Sequence, residues 1–182
     1  MLIIGITGTL GAGKGTIVEY LVKQKGFGHY SVRQYLIKEI KKQGLPVNRD
    51  SMVVTANTLR AKYNPAIIIQ ELYKEAKKKN ENAVIESIRT PGEIDFLEKQ
   101  GDFVLLAVDA DPQIRYERIT HRRSSTDEVN FQKFIEDEKR EMSTTDPNKQ
   151  NLKKCIEQAD IVLTNNGTVE ELYAQLEDKL TI

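Results

Sequence analysis

The residues with the clearest chemical signature are nine in a row: Gly8-Thr9-Leu10-Gly11-Ala12-Gly13-Lys14-Gly15-Thr16. They contain the spacing G-x-x-x-x-G-K. Glycines at such positions let the backbone curl closely around phosphate oxygens and turn its N–H groups inward. A helix opening directly after the loop adds the partial positive charge of its N-terminus. Lys14 is placed to reach the β- and γ-phosphates of a nucleoside triphosphate. The phosphate contacts expected from this loop therefore run over Gly8, Leu10, Gly11, Ala12, Gly13, Lys14, Gly15 and Thr16. One position departs from the usual pattern. Gly15 follows the lysine where a Ser or Thr hydroxyl would hold magnesium. Thr16 stands one residue later, so a magnesium ion accompanying ATP is expected to rest on phosphates, water and a carboxylate from elsewhere.

Phosphoryl transfer is mostly positioning and charge neutralisation, which calls for more cations around the transferring group. Arg118 and Arg122 lie four apart in a helical stretch and so share a face. Glu86 ends a buried apolar run and Arg89 follows in the same turn, so both are expected at the cleft. Glu86 is the candidate for ordering magnesium, alongside Thr16, or for accepting a substrate proton; a structural ion pair is the plainer alternative. Arg89, Arg60 and then Arg33 are the candidate acceptor-site cations, because a guanidinium binds phosphate bidentately. Asn165 and Gly167, in Asn165-Asn166-Gly167-Thr168, lie where backbone can border the adenine, and the same stretch reads as a turn with an N-cap. His29 and His121 have no metal-ligand company, and Tyr30 and Tyr35 read as core.

These residues need a frame. Leu2 to Thr7 is short, β-branched and apolar, as a strand buried on both faces should be. Asn82 to Glu86, Phe103 to Val108 and Asp160 to Thr164 share that character. Helical patterns lie between them: Thr16 to Lys25, Arg33 to Lys42, Asp50 to Lys62, Pro65 to Lys79, Pro91 to Lys99, Pro112 to His121, Asn130 to Met142 and Leu152 to Gln158. Val169 to Leu180 closes the chain. Pro65, Pro91 and Pro112 fit first-turn positions, and Thr168 with Glu171 reads as a capping box. Strands alternating with helices imply an α/β fold with a parallel sheet covered on both faces. Its ligand belongs at the carboxyl ends of the strands.

Composition narrows the function classes. Lys plus Arg and Asp plus Glu number 27 each, so the net charge is zero and no nucleic acid is expected as partner. One cysteine, Cys155, excludes an internal disulfide framework and a multi-cysteine zinc site. No apolar run approaches the roughly 18 residues of a membrane span, and no targeting segment is evident, so a cytoplasmic location is expected. The 182 residues suit one domain, as a monomer or homodimer.

The phosphate loop resembles that of adenylate kinases and other nucleoside monophosphate kinases, with Leu10 where those often carry proline. Over nearly its whole length the chain is similar to archaeal-type adenylate-kinase-related, dephospho-CoA-kinase-like proteins. The landmarks are Gln43-Gly44-Leu45-Pro46, Thr58-Leu59-Arg60 with Tyr63-Asn64-Pro65, and Glu86-Ser87-Ile88-Arg89. Asp111 to Arg118, Arg122-Arg123-Ser124 and Thr164 to Leu172 follow in order. The resemblance implies a three-layer αβα P-loop kinase fold, a helical acceptor-binding segment over about 33–79, and a short lid over about 122–130. It implies that Arg118 stacks on the adenine and Arg122 reaches the phosphates. It also marks a difference: where monophosphate kinases carry Ser-Thr-Gly-Asp-x-x-Arg, the register here places Gln34 and Ile37, so their acceptor site does not carry over. The leading expectation is an ATP- and magnesium-dependent kinase acting on a nucleoside or deoxynucleoside monophosphate. A dephospho-CoA-type kinase acting on a ribose hydroxyl is the second reading, and a regulatory nucleotide-binding ATPase without a small acceptor is the third.

Overall fold

A computed structural model describes residues 1–122 and 130–181. Five strands form one parallel sheet: β1 (Ile3–Gly8), β2 (Gly28–Ser31), β3 (Ala83–Glu86), β4 (Phe103–Asp109) and β5 (Ile161–Thr164), in the order β2-β3-β1-β4-β5. Nine helices are found among the described residues: α1 (Lys14–Lys25), α2 (Val32–Lys42), α3 (Arg49–Lys62), α4 (Ile67–Lys79), α5 (Pro91–Glu98), α6 (Pro112–Arg122), α7 (Phe131–Met142), α8 (Leu152–Glu157) and α9 (Val169–Lys179).

The central strands are apolar on both faces because both faces are covered. Ile3, Ala83, Ile85 and Leu105 point to one side, where Leu36 of α2, Ile68 and Leu72 of α4, Leu97 of α5 and Cys155 of α8 pack. Ile4, Ile6, Val84, Leu106 and Val108 point to the other, against Ile17 and Leu21 of α1 and Leu172 and Leu176 of α9. The period of two along each strand thus sorts the core into two halves and yields the expected three layers.

Two local readings differ. β2 was absent from the strand candidates; it is four residues long, and its His29 is exposed, so it lacks an apolar run. Pro65 does not open α4, which begins at Ile67. The Asn64 side chain accepts the Ala66 N–H at 2.9 Å, and this Asx turn occupies the residues before the helix. Thr168 and Glu171 do form the capping box that opens α9. Residues 123–129, most of the expected lid and including Arg123, lie outside the described residues.

β1 is paired on both sides, with β3 (Ile6 opposite Glu86) and with β4 (Gly8 opposite Val108). The carboxyl ends of these three strands therefore lie side by side, and the phosphate loop, Glu86 and Asp109 emerge together.

Candidate active site

The loop between β1 and α1 is built by its glycines. Gly8, Gly11 and Gly13 all have positive φ. A Cβ on Gly13 would stand 2.2 Å from the Asn165 side-chain nitrogen, so only glycine lets the loop lie this close to the turn after β5. Neighbouring elements hold the loop's shape. Asn165 donates its amide to the Ala12 carbonyl at 2.8 Å, and the buried Arg115 of α6 donates to the Leu10 carbonyl at 3.3 Å. Thr9 donates its hydroxyl to Asp109 at 2.5 Å. Arg115 is held in turn by the Ala110 carbonyl and by an ion pair with Glu138 of α7.

Lys14 folds back over this loop, donating to the Gly8 and Thr9 carbonyls at 2.8 and 2.7 Å. Burial, with the nearby Arg89 guanidinium adding to it, holds its ammonium pKa well below the usual lysine range. A cation in this state is poorly compensated and ready to take anionic oxygens in place of two neutral carbonyls.

A cavity of about 800 Å³ opens in front of the loop. Among the residues expected at the site, Leu10, Gly11, Gly13, Lys14, Gly15, Thr16, Glu86, Arg118 and Arg122 line it, as do Arg33, Arg60 and Arg89. Gly8, Ala12, Asn165 and Gly167 do not. Gly8 and Ala12 lie beneath the loop surface, and the Asn165 side chain braces the loop while its carbonyl accepts from Arg118 at 2.9 Å. Gly167 is exposed beside the Glu171 carboxylate.

Glu86 leaves the end of β3 into this cavity. Burial raises its carboxyl pKa, but His29 at 3.3 Å and the Ser31 hydroxyl at 2.6 Å outweigh that and hold it below the usual carboxylate range. His29, exposed on β2, thus sits beside a site carboxylate. Arg89 donates to the Gly8 carbonyl at 3.1 Å, and burial lowers its pKa. Arg60, expected as an acceptor-site cation, lines the cavity but is 1% exposed and paired with the fully buried Glu93 at 2.9 Å. The other Glu93 oxygen accepts the Arg89 and Thr90 N–H groups, so one carboxylate caps α5 and neutralises Arg60 together. Arg60 Nη1 has no hydrogen-bond partner among the described residues. Cys155, packed under this group, has its thiol pushed up to about 12 by burial and is chemically inert there.

Sequence reasoning missed Arg49, Glu141 and Gln150, which also line the cavity. The signal for Arg49 was available. Arg49, Met52, Val53, Ala56 and Arg60 are spaced i, i+3, i+4, i+7, i+11 along α3 and form one stripe facing the cavity, arginine at both ends and apolar between. Glu141 and Gln150 carried no comparable pattern.

The donors at the phosphate end would suit a magnesium ion that has few protein ligands. No group of three or more His, Cys, Asp or Glu side chains suited to a metal occurs among the described residues. Thr16 and Glu86 line the phosphate end, and Asp109 is engaged by Thr9. One carboxylate and one hydroxyl suit an ion that keeps its waters and shares phosphate oxygens.

This parallel sheet with its phosphate loop defines a P-loop kinase fold. Residues 4–146 match a family model described as an AAA domain. The chain is 32% identical over 183 residues to UPF0200 protein MJ1399 of Methanocaldococcus jannaschii, covering 99% of this chain and 89% of the relative. It is 30% identical to UPF0200 protein MMP1282 of Methanococcus maripaludis, covering 98% and 95%. The chain belongs to this AAA-domain family and to the UPF0200 proteins. Shikimate kinase from Bacteroides thetaiotaomicron shares the fold, with a TM-score of 0.61 at 14% identity over 97% of both chains.

Proposed function

We propose that this protein transfers the γ-phosphoryl group of ATP to a nucleoside or deoxynucleoside monophosphate. The observation that carries the reading is one cavity shared by two groups of cations. Lys14, Arg118 and Arg122 belong to the phosphate loop and α6. Arg33, Arg60 and Arg89 belong to α2, α3 and the turn after β3. A transfer between two phosphates needs such a double set, one for the donor and one for the acceptor.

In this reading Lys14 holds the β- and γ-phosphates, and Arg118 and Arg122 neutralise the donor side. Arg89, between the loop and α3, receives the acceptor phosphate, with Arg60 offering its open Nη1 and Arg33 at the rim. Magnesium, when bound with ATP, would neutralise charge on the phosphates, and Glu86 and Thr16 would hold it. The residues of α2 and α3, within 33–79, form the acceptor side. A hydroxyl acceptor is the second reading, supported by Glu86 as a carboxylate facing the cavity. Its lowered pKa makes it a weak base, so it ranks behind.

The test is ATP turnover with magnesium across the common ribo- and deoxyribonucleoside monophosphates, dephospho-CoA and water. The proposal expects one or more monophosphates to raise turnover far above the rate with water. Stimulation by dephospho-CoA alone would shift the reading to a hydroxyl kinase, and no stimulation by any acceptor would leave a regulatory ATPase.

A further inference from the structure

We propose that Arg49 is a ligand of the acceptor's phosphate, and that Glu141 is the counter-ion which that phosphate displaces. This rests on the monophosphate-kinase reading above. Arg49 is the first residue of α3, and its side chain and that of Glu141 both line the cavity. Arg49 Nη2 donates to Glu141 Oε1 at 2.7 Å. Its Nε lies 3.6 Å from Asp137, beyond hydrogen-bond reach, and has no hydrogen-bond partner among the described residues. The guanidinium is largely buried, with 17% of the side chain exposed. A buried donor without an acceptor is costly and marks a place where an acceptor is expected.

The partners on α7 support displacement rather than permanent pairing. Asp137 is already served by Lys133 at 2.9 Å and Arg140 at 3.4 Å. Glu141 uses only one edge nitrogen of Arg49, although a guanidinium can offer Nε and Nη together. Arg89 is close enough to feel both charges: Glu141 favours its cationic form and Arg49 opposes it. The Glu141 charge is thus paired with Arg49 and also acts on Arg89. A phosphate monoester brings up to about two charges and three acceptor oxygens. It would engage the Arg49 Nε and Nη2 edge and Arg89 at once, leaving Glu141 to water. The α3 stripe then lays Met52, Val53 and Ala56 along the rest of the acceptor.

The two partners should therefore act in opposite directions. The probe is whichever of AMP, CMP, GMP and UMP the wild-type protein turns over fastest, at saturating ATP. Arg49→Ala is expected to raise the KM for that monophosphate about 10- to 100-fold with the KM for ATP within about twofold. Arg49→Lys should recover part of the loss. Glu141→Gln should lower the monophosphate KM severalfold. If Arg49→Ala does not fold, Arg49→Lys and Glu141→Gln still pull KM in opposite directions. Unchanged monophosphate KM in Arg49→Ala or Arg49→Lys overturns the proposal while the kinase reading stands. A rise in KM in both Arg49→Ala and Glu141→Gln, with parallel losses of thermal stability, reduces the pair to a structural tie between α3 and α7. No turnover of any monophosphate by the wild-type protein removes the kinase reading and this proposal with it.

Discussion

Asn165, directly after β5, donates its side-chain amide to the carbonyl of Ala12, in the middle of the phosphate loop, across 2.8 Å and 153 residues of sequence. The same residue takes the Arg118 guanidinium on its own carbonyl and gives its N–H to the Asp109 carbonyl. It joins the loop, β4 and the helix that carries the donor-side arginines.

Asn165→Ala should therefore loosen the loop rather than remove a ligand contact. A buried carbonyl left without its donor costs about 1–3 kcal/mol, several degrees in Tm for a chain of this size. ATP affinity should fall with it, since the loop must then be ordered on binding. An Asn165→Ala protein with wild-type Tm and ATP affinity would show that the contact contributes nothing.

Lys14 links ATP binding to protons. Its pKa in the free protein lies below the ordinary value of 10.5, and phosphate oxygens favour the charged form. Between the lowered and the ordinary value, binding should take up a proton, and affinity should weaken as pH rises through that window. Calorimetry at alkaline pH in two buffers of different ionisation enthalpy measures the uptake. Lys14→Met should abolish it and lower turnover by at least about 10²-fold, as loss of a principal charge on the transferring group. Equal proton uptake in both proteins would remove Lys14 from the phosphates.

Glu86 sets an acid limit. Its folded pKa is depressed, so its stabilising contribution is fully present above the ordinary carboxylate pKa and is lost as pH falls through the lowered value. Burial opposes this, and His29 with Ser31 overcomes it. His29→Ala removes one of the two without touching the cap that Ser31 provides for α2. The acid limb of the pH–rate and pH–stability profiles should then move to higher pH. Profiles that superimpose on the wild type would show that His29 does not tune Glu86.

Arg60 and Glu93 form a buried pair whose halves are not equivalent. Glu93→Ala leaves the Arg60 charge buried alone and takes the cap from α5, and should destabilise by about 3–5 kcal/mol. Denaturant unfolding measures this, and a loss below 1 kcal/mol would mean that water reaches Arg60 freely. Because Arg60→Ala carries part of this cost, its effect on acceptor KM must be read alongside its stability.

What the sequence determined alone is what depends on neighbours along the chain. The phosphate loop is nine consecutive residues whose conformation follows from glycine spacing, and the strand before it and helix after it follow from apolar period. The caps at Thr90 and Thr168 are likewise local, each closing over three residues. The α3 stripe from Arg49 to Arg60 was written in the sequence too, though only the cavity shows which face of the helix matters. The tertiary structure decided the pairings. Glu93 lies 33 residues from Arg60, Glu141 lies 92 from Arg49, and Glu86 lies 55 from Ser31. No periodicity encodes such partners, because they meet only once the strand order β2-β3-β1-β4-β5 aligns the carboxyl ends of the sheet. That is why Arg60 reads only as an acceptor-site cation in the sequence and is a buried, ion-paired donor in the fold: charge is read from one residue, but its compensation comes from another element.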